Sequence, residues 1–215
     1  MVELVVFTLL DNQLVVAARS DGGGFSLPST GWDGRCKLDE AAIGLADSVS
    51  RSRVLNPVFA TNSVFEPPEP TGMAVSYYVC VAPSDLDLKL HIVQPNHESG
   101  LSKRQRRVVY FAKQGLLTLQ SVRPLIPAML EEGFTLTQFQ EAVQAVTGEE
   151  PDKRHFRRQS QESGWLEYTG EKLMGAHRPA MRYRLSADYS DHPYGHTLRA
   201  LRGNNGTNRE IVDLD

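Results

Sequence analysis

Between residues 135 and 185 the chain spells out an order of elements that few folds accept: two short helices across a glycine-terminated turn, then two strands. Thr135 or Thr137 caps the first helix, whose apolar periodicity runs to about Thr147 and stops at Gly148. Asp152 caps the second, which runs to about Ser163 and stops at Gly164. Residues 165–169 and 180–185 then alternate as strands, joined by a loop over 170–179 that carries two glycines and a proline. Helix, turn, helix and a β-pair within so short a span predict a winged helix-turn-helix.

The second of these helices is the basic one. Lys153, Arg154, Arg157, Arg158 and Gln161 recur at helical spacing and form one polar stripe, with His155 beside them, while Phe156 and Ser160 turn inward. In a helix-turn-helix the second helix enters the DNA major groove with its N-terminal residues toward the bases. There Arg bonds guanine through two parallel hydrogen bonds, and Lys or Gln reaches phosphate or adenine. On the β-pair, Lys172, His177 and Arg178 stand toward the wing tip and Arg182 lies on the return strand, where contacts to phosphate or the minor groove position the helix rather than specify sequence. The same charges could also form the solvated surface of a protein-interaction domain. The net charge of −3 does not decide between these readings, because charge acts locally on such a surface.

The first half of the chain has a different rhythm. Residues 2–10 and 14–19 read as strands of a hairpin turning at Asp11-Asn12-Gln13, and residues 38–49 as a helix with Asp39 and Glu40 in its first turn. Further strands are predicted over 59–65, 73–82 and 86–93, with a proline-rich loop at 66–72. A helix follows over 101–119, opening on the cluster Lys103-Arg104-Gln105-Arg106-Arg107. Cations at a helix N-terminus oppose the macrodipole, so that cluster needs compensation; it could touch DNA flanks, bind a phosphate ligand or stay solvated. These elements predict an α/β unit over 1–120, a connector over 121–133 with Pro124 and Pro127, the winged helix over 134–187 and a polar tail over 188–215. A hydrophobic content of 40% supports true cores.

Cys36 and Cys80 fit neither a disulfide framework nor a metal-binding spacing and read as reduced thiols. The apolar N-terminus carries Glu3 and breaks at Asp11, which marks a strand and not a signal peptide. With no apolar run of membrane-spanning length, the expectation is a soluble cytoplasmic protein without a membrane partner.

The opening hairpin, the Leu27-Pro28-x-x-Gly31-Trp32 loop and the run Leu38-Asp39-Glu40-Ala41-Ala42 resemble the start of a Nudix domain, an α/β/α sandwich. Members of that family carry an arginine and three glutamates on the following helix, which hold Mg²⁺ and activate water against a nucleotide diphosphate. Aligned on Leu38–Ala42, those positions are Gly44, Leu45, Ser48 and Val49, with Asp47 the acid left in that stretch. The resemblance therefore implies a Nudix-like domain without metal and without catalytic residues. Residues 134–142, 152–158 and 178–184 resemble the winged-helix half of Nudix-related transcriptional regulators, including the NrtR and NadQ types of NAD metabolism.

That second resemblance implies a homodimeric repressor of NAD biosynthesis or related nucleotide metabolism. Its affinity for double-stranded operator DNA would be set by a nucleotide effector: ADP-ribose, NAD or ATP. Without metal, the effector phosphates would need cations and its base an aromatic face, which points to Arg19, Arg35 and Lys37 with Phe25 and Trp32. The rival readings are an active Nudix hydrolase and a winged-helix adaptor that binds protein. Motion between effector and DNA is expected to pass through the connector at residues 124–130.

Overall fold

The computed structural model describes residues 1–51, 58–65, 72–94, 100–120, 123–174 and 179–186. Most of the loop predicted at 66–72, the wing tip with His177 and Arg178, and the tail from 187 onward lie outside the described residues.

Strands β1 (Val2–Leu10) and β2 (Gln13–Asp21) form the expected hairpin, paired from Leu10 opposite Gln13 to Val6 opposite Ala17. The two turn residues, Asp11 and Asn12, both sit in the left-handed region at φ 48° and 57°. That is the twist a two-residue hairpin requires, and Asp and Asn tolerate it better than other side chains do. Next come β3 (Gly24–Ser26), β4 (Ser29–Thr30), helix α1 (Leu38–Asp47), β5 (Val58–Phe65), β6 (Gly72–Cys80), β7 (His91–Val93) and helix α2 (Lys103–Leu119). The sheet runs β3-β2-β1-β6-β5, with β4 added to β1 and β7 to β2. Only the β1–β6 pair is parallel among the described strands.

The period of two along β1 divides the core. Val2, Leu4 and Val6 pack with Ala42, Leu45, Ala46 and Val49 beneath α1. On the other face Val5, Phe7 and Leu9 pack with Val108, Val109, Ala112 and Leu116 of α2. The first unit is thus an α/β/α sandwich, as expected.

Two local readings change. The segment 86–93 is a strand only over its last three residues. Upstream, Asp87 accepts the Lys89 N–H on its side chain at 2.8 Å and the Leu90 N–H on its carbonyl at 3.0 Å, and these turn bonds replace ladder bonds. The Leu27-Pro28-x-x-Gly31-Trp32 loop contributes β4, paired with β1, and β3 just before it pairs with β2; both are short pieces set against longer strands.

The C-terminal unit consists of β8 (Phe134–Thr135), α3 (Leu136–Thr147), α4 (Lys153–Glu162), β9 (Leu166–Leu173) and β10 (Ala180–Leu185). Thr135 caps α3 by accepting the Gln138 N–H at 3.2 Å, and Gly148 ends it at φ 79°. The sheet β8-β10-β9 has one strand more than the sequence suggested, because two residues before α3 pair with β10.

The connector is not slack. Pro127–Met129 forms a 3-10 turn, and Leu125, Ile126 and Met129 are buried in one cluster with Phe7, Leu9, Tyr78 and Leu116 of the first unit and Phe134, Phe139, Phe156 and Tyr183 of the second. Ser84, beyond β6, donates its N–H to Glu131 at 2.9 Å and its hydroxyl to the same carboxylate. A hinge there would expose core side chains to water.

Candidate nucleic-acid interface

Helix α4 separates by burial as its periodicity demands. Phe156 and Ser160 are its buried residues, and the Phe156 ring meets Phe139 of α3 at 4.9 Å and 60°. Phe139 in turn meets Phe134 at 6.0 Å, so a short aromatic stack sets α4 against α3. Lys153, Arg154, His155, Arg157, Arg158 and Gln161 are all exposed. Cations in the first turn oppose the macrodipole, and Asp152 offsets them by accepting the His155 N–H at 2.8 Å. Among the described residues no carboxylate pairs with Lys153, Arg154, Arg157 or Arg158. Their polar contacts are lighter: Arg157 reaches the Thr137 hydroxyl at 3.5 Å, and Arg158 the His155 Nδ1 at 3.3 Å.

Of the wing residues singled out, Lys172 is exposed on β9, while His177 and Arg178 lie outside the described residues. Arg182 is placed differently. Its Nε donates to the Gly133 carbonyl at 2.7 Å and its Nη1 to Glu171 at 3.2 Å. Arg184 is paired across the hairpin with Glu167 at 3.3 Å.

Helix α1 and the turn after it hold the positions where the resemblance to Nudix domains looks for acids. Leu45 and Val49 are 5% and 1% exposed and belong to the core between α1 and the sheet. Ser48 donates its hydroxyl to the Leu45 carbonyl at 2.7 Å and accepts from Arg19 at 3.4 Å. The acids in the first turn are engaged elsewhere: Asp39 accepts the Tyr77 hydroxyl at 2.7 Å, and Glu40 accepts the Lys37 N–H at 3.1 Å. Among the described residues no three His, Cys, Asp or Glu side chains cluster as metal ligands would.

The residues proposed for an effector are not all brought together. Arg19 reaches Ser48 at the C-terminal end of α1, whereas Lys37 caps its N-terminal end. Ten helical residues put those ends roughly 15 Å apart. Trp32, Arg35 and Lys37 share the exposed loop before α1, where Trp32 Nε1 donates to the Cys36 carbonyl at 2.8 Å and Arg35 pairs with Asp33 at 3.1 Å. Phe25 is half-buried against His91, with ring centroids 5.5 Å apart.

The basic cluster opening α2 has an anchor that sequence reasoning missed. Arg104 grips Glu3 through two bonds of 2.9 Å, and Ser76 donates to the same carboxylate at 3.1 Å. Glu3 is 1% exposed, so a cation at this helix start neutralises a carboxylate inside the sheet. The signal was an acid at a core position of an apolar strand, which calls for a cation elsewhere in the chain. No helix among the described residues is long and apolar enough to cross a membrane.

An α/β/α body packed against a winged helix, with an exposed basic face on the second helix, defines the two-part architecture of this chain. Residues 127–185 match the family model of the NrtR DNA-binding winged helix domain. The crystal structure of Shewanella oneidensis NrtR complexed with a 27mer DNA aligns with a TM-score of 0.75 at 20% identity, covering 91% of this chain and 94% of that one. Shewanella oneidensis NrtR alone gives 0.74 at 20% identity, over 89% and 95%. A MutT/nudix family protein from Enterococcus faecalis gives 0.63 at 13% identity, over 86% and 85%. At these identities the likeness is one of fold, and it spans both units. Among curated protein sequences none matches the chain.

Proposed function

We propose that this chain is a DNA-binding transcriptional regulator, a repressor in NAD biosynthesis or related nucleotide metabolism. In this reading it works in the cytoplasm as a homodimer on a two-fold operator, and a nucleotide effector such as ADP-ribose, NAD or ATP bound to the Nudix-like unit sets its DNA affinity. One observation carries the proposal: four cations without carboxylate partners among the described residues stand on the outer face of the second helix of an NrtR-type winged helix. Shewanella oneidensis NrtR, of the same overall fold, is complexed with a 27mer DNA, which supports reading this face as the DNA face. Lys153, Arg154, His155, Arg157, Arg158 and Gln161 are the proposed groove contacts, with Lys172, His177 and Arg178 on the wing.

The effector would bind without being hydrolysed. Two of the three positions where the family carries glutamates hold core aliphatics, so a metal bridge to a diphosphate lacks its ligands there. Contacts are proposed from Trp32, Arg35 and Lys37 at one end of α1 and from Arg19 at the other, with Phe25 nearby.

The test is duplex binding across a salt series. Wild type should lose several orders of magnitude in affinity between low and moderate salt if about six to eight phosphates are contacted per dimer. Arg157→Ala with Arg158→Ala should abolish binding, and ADP-ribose, NAD or ATP should shift it. Salt-independent binding, or a double variant as tight as wild type, would overturn the DNA assignment. Mg²⁺-dependent turnover of a nucleotide diphosphate would overturn the non-catalytic one.

A further inference from the structure

We infer that Arg182 is a positioning residue that sets the pitch of the wing against the body, and not a phosphate contact; the inference rests on the DNA-binding reading above. Arg182 lies on β10 at the register shift between Met181 and Tyr183, where β9 bulges around Gly170. Its backbone and side chain together hold two segments. The carbonyl accepts the Thr169 hydroxyl at 3.2 Å from the bulge, and Nη1 bonds Glu171 just beyond it. On the other side Nε donates to the Gly133 carbonyl at 2.7 Å, while the Gly133 N–H donates to Tyr183 at 3.0 Å. Both backbone groups of Gly133, at the end of the connector, are therefore spent on β10.

Gly133 is shaped for this clasp. It sits at φ 81°, which favours glycine, and a Cβ there would lie 2.7 Å from Arg182 Nε, so the guanidinium would have to shift. The guanidinium thus occupies space that only glycine leaves open, and Nε and Nη1 are already directed at protein acceptors. A phosphate recruited to this group would have to compete with the Glu171 carboxylate and the Gly133 carbonyl. Lys172, the next residue on β9, has no such partner among the described residues and is exposed, which makes it the phosphate contact of this strand. The geometry gives Arg182 a different task. Through Glu171 it fixes the bulged strand that carries Lys172, and through Gly133 it ties that strand to the segment buried between the two units.

The experiment uses the full chain and a duplex that wild type selects from a randomised library, with a random-sequence duplex as reference. Affinities are read across a salt series for Arg182→Ala, Arg182→Lys, Glu171→Gln and Lys172→Ala, with thermal melting as the folding control. Lys172→Ala should reduce the salt slope by about one and weaken both duplexes alike. Arg182→Ala and Glu171→Gln should each weaken the selected duplex about tenfold, leave the slope unchanged and spare the random duplex. Arg182→Lys keeps the charge but not the fork, and it should not restore affinity. In hydroxyl-radical footprints both variants should lose protection beside the major-groove contact while keeping its centre.

Glu171→Gln is decisive because it sits on an exposed residue and removes a negative charge near DNA. Tighter binding in that variant, with a slope lowered by one in Arg182→Ala and restored in Arg182→Lys, would overturn the inference. Failure of wild type to bind any duplex in a salt-dependent manner would overturn the regulator reading itself, and with it the inference. The two failures are distinguishable.

Discussion

Tyr78 is fully buried on β6, and its hydroxyl has no hydrogen-bond partner among the described residues. The ring lies against Gly115 of α2, where a Cβ would meet it at 3.2 Å, so a glycine in mid-helix makes room for an aromatic side chain. Burial pushes the Tyr78 phenol well above its ordinary value of 10.0, with Cys80 adding to the rise and Arg123 opposing it. Burial alone pushes the Cys80 thiol up from 9.0. Both groups keep their protons in the folded chain at a pH where the unfolded chain releases them. The stability they contribute is therefore complete below pH 9.0 and falls as pH rises, first through Cys80 and above 10.0 through Tyr78 as well. Each should remove roughly 1.4 kcal/mol per pH unit once its unfolded form ionises. Tyr78→Phe should be neutral or stabilising at pH 7, since it deletes an unsatisfied hydroxyl, and should flatten the loss of stability above pH 10. Denaturant midpoints measured from pH 7 to 11 check both expectations; a midpoint in Tyr78→Phe that falls as steeply as in wild type would contradict them. At this scale the sequence disclosed residue identity but not company. Glu3 within an apolar strand signalled a need for a cation, yet only the fold selects Arg104 from a cluster of four basic residues.

At the scale of elements, periodicity and caps located most helices and strands to within a residue or two. Thr135, Gly148, Asp152 and Ser102 all stand at the boundaries their chemistry favours. What local pattern did not reveal was pairing: β8 is two residues long and exists because β10 lies beside it. The inward face of α4 was legible because Phe156 and Ser160 recur at helical spacing. The engagement of Arg182 was not, because its partners lie 11 and 49 residues away. Helix α1 supplies the prediction that belongs here. Its periodicity, met by Leu45 and Val49, serves the core, so introducing acids there does not simply create a metal site. Leu45→Glu should place a carboxylate among Val2, Leu4 and Val6 and destabilise the fold by several kcal/mol near neutral pH, less in acid, where the carboxyl is protonated. Chemical denaturation with and without Mg²⁺ checks this. A Leu45→Glu variant as stable as wild type, or one rescued by Mg²⁺, would show that this face of α1 is still an open metal site.

For the whole molecule, two prolines around an apolar run suggested a boundary, and a boundary suggested a joint. The prolines instead lie among residues buried in one cluster shared by the two units: Pro127 opens the 3-10 turn, where a missing N–H costs nothing, and Ile126 before it and Met129 after it are each 1% exposed. Apolar content, more than proline, was the informative property of that segment. The two units should therefore unfold together, in a single calorimetric transition, although the chain has the length of two domains. Met129→Ala removes a side chain at the meeting of the two cores and should cost about 2–5 kcal/mol, lowering that one transition by about 5–15 °C without splitting it. Two resolved transitions, with the winged helix melting at an unchanged temperature in the variant, would return the connector to the role of a flexible link. If the single transition holds, the two units share one cooperative core, and an effector that bent the connector of the proposed dimer would have to open that core to water. The proposed effector would instead favour one placement of the two bodies over another, because only a ligand that discriminates between two arrangements can shift the balance between them.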